Sequence, residues 1–173
     1  MIIDFENHKP IIAENVFLAP SSWIIGNVTI EENCSVFFGA VLRGDILPIS
    51  VGKGSNIQEH CMIHTTHGRA PTFIGEQVTI GHRAIVHGAS VGNRCLIGMG
   101  SIILDEASIG DESIVAAGTV VTEGKTFPPR SMIMGTPGKV VREVTDEDLT
   151  NILRGTNSYV KLASKYKTIF IGK

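Results

Sequence analysis

The sequence predicts an all-β solenoid: a parallel β-helix of short strands, closed by a C-terminal α-helix. Three observations predict it. Aliphatic residues recur every six positions over most of the chain. A small residue usually stands four places after each of them. Glycine is abundant, at 19 residues, whereas aromatics make up only 6% of the chain. A period of six fits neither the 3.6-residue turn of an α-helix nor the two-residue alternation of a strand. It fits short strands joined by tight turns, with one large and one small inward residue per repeat filling a narrow prism. A conventional core would need more large side chains.

The elements follow in order. Residues 1–11 form an N-terminal segment, and the repeat domain spans 12–126. Its hexads open at Ile12, Leu18, Ile24, Ile30, Val36 and Leu42, and resume at Val51, Ile57 and Ile63 after Pro48–Ser50. Residues 69–73 are an insertion, followed by Ile74, Ile80 and Val86. One residue is dropped before Val91, Ile97, Ile103, Ile109, Val115 and Val121. The second place is often glycine, as at Gly52, Gly75, Gly81, Gly92, Gly98 and Gly110. Residues 127–144 read as an extended exit segment, because Pro128, Pro129, Pro137 and Gly138 break regular structure. Residues 145–173 hold a helix over 145–167 and a tail. Thr145 is a capping residue, and Asp146, Glu147 and Asp148 suit the positive first turn. Leu149, Ile152, Leu153, Tyr159, Val160, Leu162 and Ala163 give a broken apolar stripe that Gly155 weakens. This helix is expected to pack along the prism or against a neighbouring subunit.

Composition narrows the function. A net charge of −2 gives no reason to expect a nucleic-acid or anionic-membrane partner. No apolar run approaches the ~20 residues of a membrane span. The first residues carry an early acid and no basic-then-apolar pattern, so the expected location is cytoplasmic. Cys34, Cys61 and Cys95 are odd in number, form no CxxC and all fall at the inward fifth place, which predicts buried reduced thiols.

Three hexads per coil place residues three hexads apart above one another, about 4.8 Å away. The second places then form a column of Ile25, Arg43, His64, His87, Leu104 and Thr122. His64 and His87 become stacked neighbours with Arg43 beside His64, provided the insertions at 47–50 and 69–73 bulge out without consuming a hexad. A third-place column of Phe38, Glu59, His82, Met99 and Ala117 puts His82 on a different corner. Within one chain His82 should not reach the other pair. A symmetric trimer would unite His64 and His87 of one chain with His82 of the next. Three neutral imidazoles with an open fourth position describe a catalytic zinc site, and iron or cobalt would also suit them.

Three motifs add a resemblance. Arg43-Gly44-Asp45 comes first, then Asn56-Ile57-Gln58 with a following acid and His64 after Met62-Ile63. Gly81-His82 with His87-Gly88 is the third. Set on a hexad repeat, they are similar to the γ-class carbonic anhydrases of the hexapeptide-repeat, left-handed β-helix family, over nearly the whole chain up to Gly135-Thr136-Pro137-Gly138-Lys139. The left hand comes from this resemblance; the usual crossover rule would favour the right. The resemblance implies a homotrimer with Zn2+ (Fe2+ or Co2+ can substitute) at each subunit interface, held by His64, His82 and His87. It implies an Arg43–Asp45 ion pair near the site, Gln58 positioning the hydroxide or substrate, and Tyr159 as an aromatic reaching in from the helix. The reaction implied is reversible hydration of CO2 to bicarbonate by metal-bound hydroxide, with a proton exported afterwards.

The sequence departs from the family archetype in one stretch. The archetype has an acidic loop with a shuttle glutamate between its first two ligands, whereas this chain has Thr65–Thr72 with no acid. Ile46 stands where an acid can occur and Glu59 where an aspartate is usual; His60 and His67 are the candidates to replace the shuttle, against a plain surface role. Two other readings follow: a metal-bearing homologue with little hydration activity in an accessory or thioesterase-like role, or a hexapeptide acyltransferase using acyl-CoA with histidine as general base.

Overall fold

The computed structural model describes residues 1–171. Its core is a parallel β-helix in which the predicted hexad openers, continued by Phe127 and Ile133 beyond the expected bound, stack in register on three faces. On the first, Ile24, Leu42, Ile63, Val86, Ile103 and Val121 are successive partners. On the second, Leu18, Val36, Ile57, Ile80, Ile97, Val115 and Ile133 stack. On the third, Ile12, Ile30, Val51, Ile74, Val91, Ile109 and Phe127 do so. Val51 pairs with both Ile30 and Ile74, so neither insertion consumes a hexad. Strands Trp23–Ile30 and Val41–Val51 run round a corner and join the first and third faces into one sheet.

From Ile24 onward the inward openers are buried, whereas Ile12 and Leu18 at the N-terminal end are partly buried; each fully buried Ile or Leu contributes roughly 1.5–3 kcal/mol of transfer free energy. The fifth places complete the prism. Where they are serine, the hydroxyl donates to a corner carbonyl, as from Ser55 to Gly75 at 2.7 Å and from Ser101 to Gly98 at 2.7 Å. Cys34, Cys61 and Cys95 are free and buried as expected, and burial pushes their thiols up to about 11, 12 and 12 respectively.

The corners use two devices, of which sequence reading sees one. At the second place, coils approach so closely that a Cβ on Gly110 would lie 2.4 Å from the Pro129 nitrogen. At the fourth place the backbone turns into the left-handed region, as at His60 (φ 59°), Arg83 (φ 59°), Glu112 (φ 61°) and Gly124 (φ 66°). The second device carries no fixed residue type, so it is invisible as a pattern.

Both ends of the repeat extend past the expected bounds. Ile2–Ile3 adds a strand beside Ile24–Ile25. Ser131–Gly135 stacks in parallel on Ile114–Val115, then pairs antiparallel with Gly138–Glu143, so the exit segment is a hairpin. The helix, Asp146–Ile171, lies on the chain's own second face. Ile152 packs with Ile114 and Val144 near its start, and Ala163, Tyr159 and Tyr166 pack with Phe17 and Phe37 further along. Thr156 is buried within the stripe because its hydroxyl bonds the Ile152 carbonyl at 2.9 Å, whereas Leu162 is exposed.

Candidate metal centre

The predicted site residues fall into two clusters on two corners. The first is built on neighbouring strands of the first face. Val41–Val51 carries Arg43 and Asp45, Met62–His64 ends at His64, and Ile85–His87 ends at His87. His64 and His87 are register partners, with Nδ1 of His64 3.0 Å from Nε2 of His87. Asp45 accepts from Arg43 at 2.5 Å and lies 3.0 Å from Nε2 of His64. Behind His87, its Nδ1 is 2.6 Å from Asp105, which also accepts from the Thr66 hydroxyl at 2.7 Å.

Charge states follow from these contacts. Burial, helped by the Arg43 charge, lowers the His64 pKa despite Asp45, so His64 is neutral near pH 7. Burial works to raise Asp45, but the hydrogen bonds from Arg43 and His64 and the Arg43 charge outweigh it and hold the carboxyl below its ordinary value. Burial likewise opposes ionisation of Asp105, yet bonds from His87 and Thr66 win and lower it. Nε2 of His64 thus faces Asp45 and Nδ1 of His87 faces Asp105, while Nδ1 of His64 and Nε2 of His87 meet at 3.0 Å, with an Arg43 guanidinium nitrogen 3.4 Å from the same Nδ1. Two imidazoles brought together with a carboxylate behind each offer nitrogen donors suited to a shared divalent cation, so the donor set fits zinc.

The second cluster lies between the second face and the helix. Gln58 is buried, donates to Asn56 at 3.2 Å and accepts from the His82 backbone at 3.2 Å. Nδ1 of His82 is 2.6 Å from Glu59, while the His82 side chain is 43% exposed and so open to an outside group. Asn56 donates to the Thr79 hydroxyl at 2.8 Å and so ties two neighbouring coils together. Tyr159 packs edge-on against Phe37 at 5.4 Å, and burial, with the Glu59 charge, raises its pKa. Gln58, His82, Met99 and Tyr159 border a cavity of about 630 Å3.

His82 is thus separated from the His64–His87 pair, as the two columns predict. Among the described residues, no three His, Cys, Asp or Glu side chains of one chain form a metal-binding group. Asp105 and Thr66 are contacts that sequence reading misses. The hexad count places Leu104 over His87, but the coil with the dropped residue turns at Gly88 (φ 56°) and draws Asp105 beneath the imidazole.

The architecture defines a hexapeptide-repeat β-helix protein with histidines on two corners. A family profile described as "Bacterial transferase hexapeptide (six repeats)" matches residues 88–123. A "Probable carbonic anhydrase" of Methanocaldococcus jannaschii is 45% identical over 88% of this chain and 95% of its own length. "Gamma carbonic anhydrase 2, mitochondrial" of Arabidopsis thaliana is 38% identical over 90% of this chain, which spans 58% of that longer protein. A crystal structure of a Bacillus cereus protein described as an acetyltransferase superposes with a TM-score of 0.95 at 38% identity, covering 98% of each chain. The chain belongs to the γ-class carbonic anhydrase family of hexapeptide-repeat proteins.

Proposed function

We propose that this chain is a zinc-dependent carbonic anhydrase, acting as a homotrimer with its metal held between adjacent subunits. One observation carries the reading: the His64 and His87 rings meet at 3.0 Å on one corner, each with a carboxylate behind it, while the third histidine stands exposed on another. A cyclic trimer can bring one corner to the other without changing either. The exposed Met99, next to His82 in the cavity wall, supports an interface there.

His64 and His87 of one subunit and His82 of the next would hold the ion. Zinc in such a site supplies Lewis acidity, lowering the pKa of water to about 7. The chain's own groups do the rest. Asp45 orients His64, and Arg43 fixes Asp45. Gln58, anchored at both ends of its amide, keeps one N–H free to orient CO2 or bicarbonate in the cavity. Tyr159 walls that cavity against water. Proton export then falls to a group other than a carboxylate of the 65–72 loop, with exposed His67 of that loop as a candidate. Three buried thiols fit a reducing compartment, and we place the protein in the cytoplasm. No helix of the described residues is long and apolar enough to cross a membrane.

A second reading has its own observation. The cavity of about 630 Å3 is far larger than CO2 needs, and the acetyltransferase description of the Bacillus relative points to acyl substrates. A metal-dependent hydrolase acting on a small thioester would use the same ligands.

Metal content per chain, followed by CO2 hydration on the same anaerobically purified sample, tests both. About one zinc or iron per chain with fast hydration is expected, both lost in His82→Ala. Full metal with background hydration would shift the reading to the hydrolase. No metal after reconstitution would refute the site and leave the acyltransferase.

A further inference from the structure

Asp105 is the buried group nearest His87 that the reaction, as proposed, does not use. Its residue is 7% exposed, and its two oxygens have separate partners. One is 2.6 Å from Nδ1 of His87 and the other accepts from Thr66 at 2.7 Å. Arg69 lies 3.7 Å away and also pairs with Glu106 at 3.3 Å and Glu123 at 3.2 Å, tying the 65–71 loop to three carboxylates. The loop that carries no acid thus brings Thr66 and Arg69 to an acid on another coil.

A second observation shows that room is kept for this carboxylate. Gly88 sits at φ 56°, and a Cβ there would stand 2.5 Å from Asp105 Oδ1. Only glycine lets His87 and Asp105 share this corner. The His87-Gly88 pair of the sequence is therefore one device: a ligand, and the space for the group behind it.

We infer that Asp105, braced by Thr66, is a positioning residue that holds His87 as its Nδ1–H tautomer and so aims the Nε2 lone pair at the metal position. Nδ1 of His87 meets one Asp105 oxygen at 2.6 Å while the other accepts from Thr66, a geometry in which the ring donates and the carboxyl accepts. A hydrogen-bonded carboxylate behind a histidine fixes the ring and raises its basicity as a ligand, and its loss costs on the order of 10- to 100-fold in metal affinity. The inference rests on the proposed metal site.

The test uses full-length Asp105→Asn and Gly88→Ala, with zinc alone as probe. Zinc affinity is measured by competition with a chromophoric chelator, and the His87 tautomer by 15N NMR of histidine-labelled, metal-free protein. The expected wild type shows protonated Nδ1. Asp105→Asn should keep its melting temperature yet bind zinc roughly 10- to 100-fold more weakly, with Nδ1 protonation lost or mixed, since an amide can also donate. Gly88→Ala should weaken zinc in the same direction, and Thr66→Val less so. Wild-type zinc affinity and an unchanged tautomer in Asp105→Asn would overturn the inference and leave the metal site standing. A lower melting temperature with unchanged affinity would reduce Asp105 to a packing role. No zinc binding by the wild type would instead overturn the metal reading itself.

Discussion

Gly110 and Gly124 are both corner glycines, yet they tolerate different changes. Gly110 occupies a second place, where a Cβ would meet Pro129 N at 2.4 Å and Pro128 C at 2.6 Å, both backbone atoms that cannot swing aside. Gly124 occupies a fourth place at φ 66° with nothing within 4 Å of a built Cβ. Asparagine adopts that backbone region readily, as Asn33 does here at φ 58°. Gly110→Ala should therefore cost about 1–3 kcal/mol through overpacking, whereas Gly124→Asn should stay within about 0.5 kcal/mol. Urea unfolding of the two variants checks this; equal losses would show that the two corner devices are one. The same contrast explains what could be read at this scale. Second-place glycines such as Gly110 are legible because the close coil contact at those corners leaves no room for a Cβ. Fourth-place residues as different as His60, Arg83 and Glu112 share only a dihedral angle. Asp105 was hidden for a related reason: its place beside His87 depends on how one short coil turns, not on the period.

The helix shows how element-scale expectations meet tertiary packing. Its start is legible because Thr145 and Asp148 cap each other reciprocally. The Thr145 hydroxyl accepts from the Asp148 backbone at 3.1 Å, and Asp148 accepts from the Thr145 backbone at 2.9 Å. Thr145→Ala should cost about 1 kcal/mol. Bonds from Arg142 and the Thr145 backbone hold the Asp148 carboxyl well below the usual range. Its folded pKa is depressed, so its contribution is complete above the unfolded value of about 3.9 and is lost as pH falls below that. Gly155 reads as a weak point in the sequence, and the helix continues through it because Ile152 and Thr156 are anchored on either side. A Cβ on Gly155 would meet nothing within 4 Å, so Gly155→Ala should gain roughly 0.5–1 kcal/mol in thermal unfolding. A loss there would mean the glycine serves a contact beyond the single chain. The hairpin after residue 130 was not legible: Val140 and Val141 are both exposed, so no alternation marks the returning strand.

At the scale of the molecule, the β-helix and both histidine corners were legible because one period sets every register. Within one chain the two corners stay apart, and their meeting across subunits is the proposed step. That makes the split itself testable by mixing. His64→Ala removes a ligand from the first corner and leaves His82 intact; His82→Ala does the reverse. Each homomeric variant should bind no zinc at the site. Refolding the two together in equal amounts gives, by random assembly into cyclic trimers, about three quarters mixed trimers. Each mixed trimer has one junction of three at which an intact first corner meets an intact second corner. The mixture should therefore recover about one quarter of the wild-type zinc and a similar share of any hydration activity. A site built within one chain would recover none, because every chain lacks a ligand. Arg43→Ala supplies the control: if the Arg43–Asp45 pair supports the junction, this variant should shift sedimentation toward smaller species and reduce recovery when introduced into both chains. Recovery of one quarter with Arg43 intact would place His82 across the junction from His64 and His87, which the fold of one chain requires if the three are to share an ion.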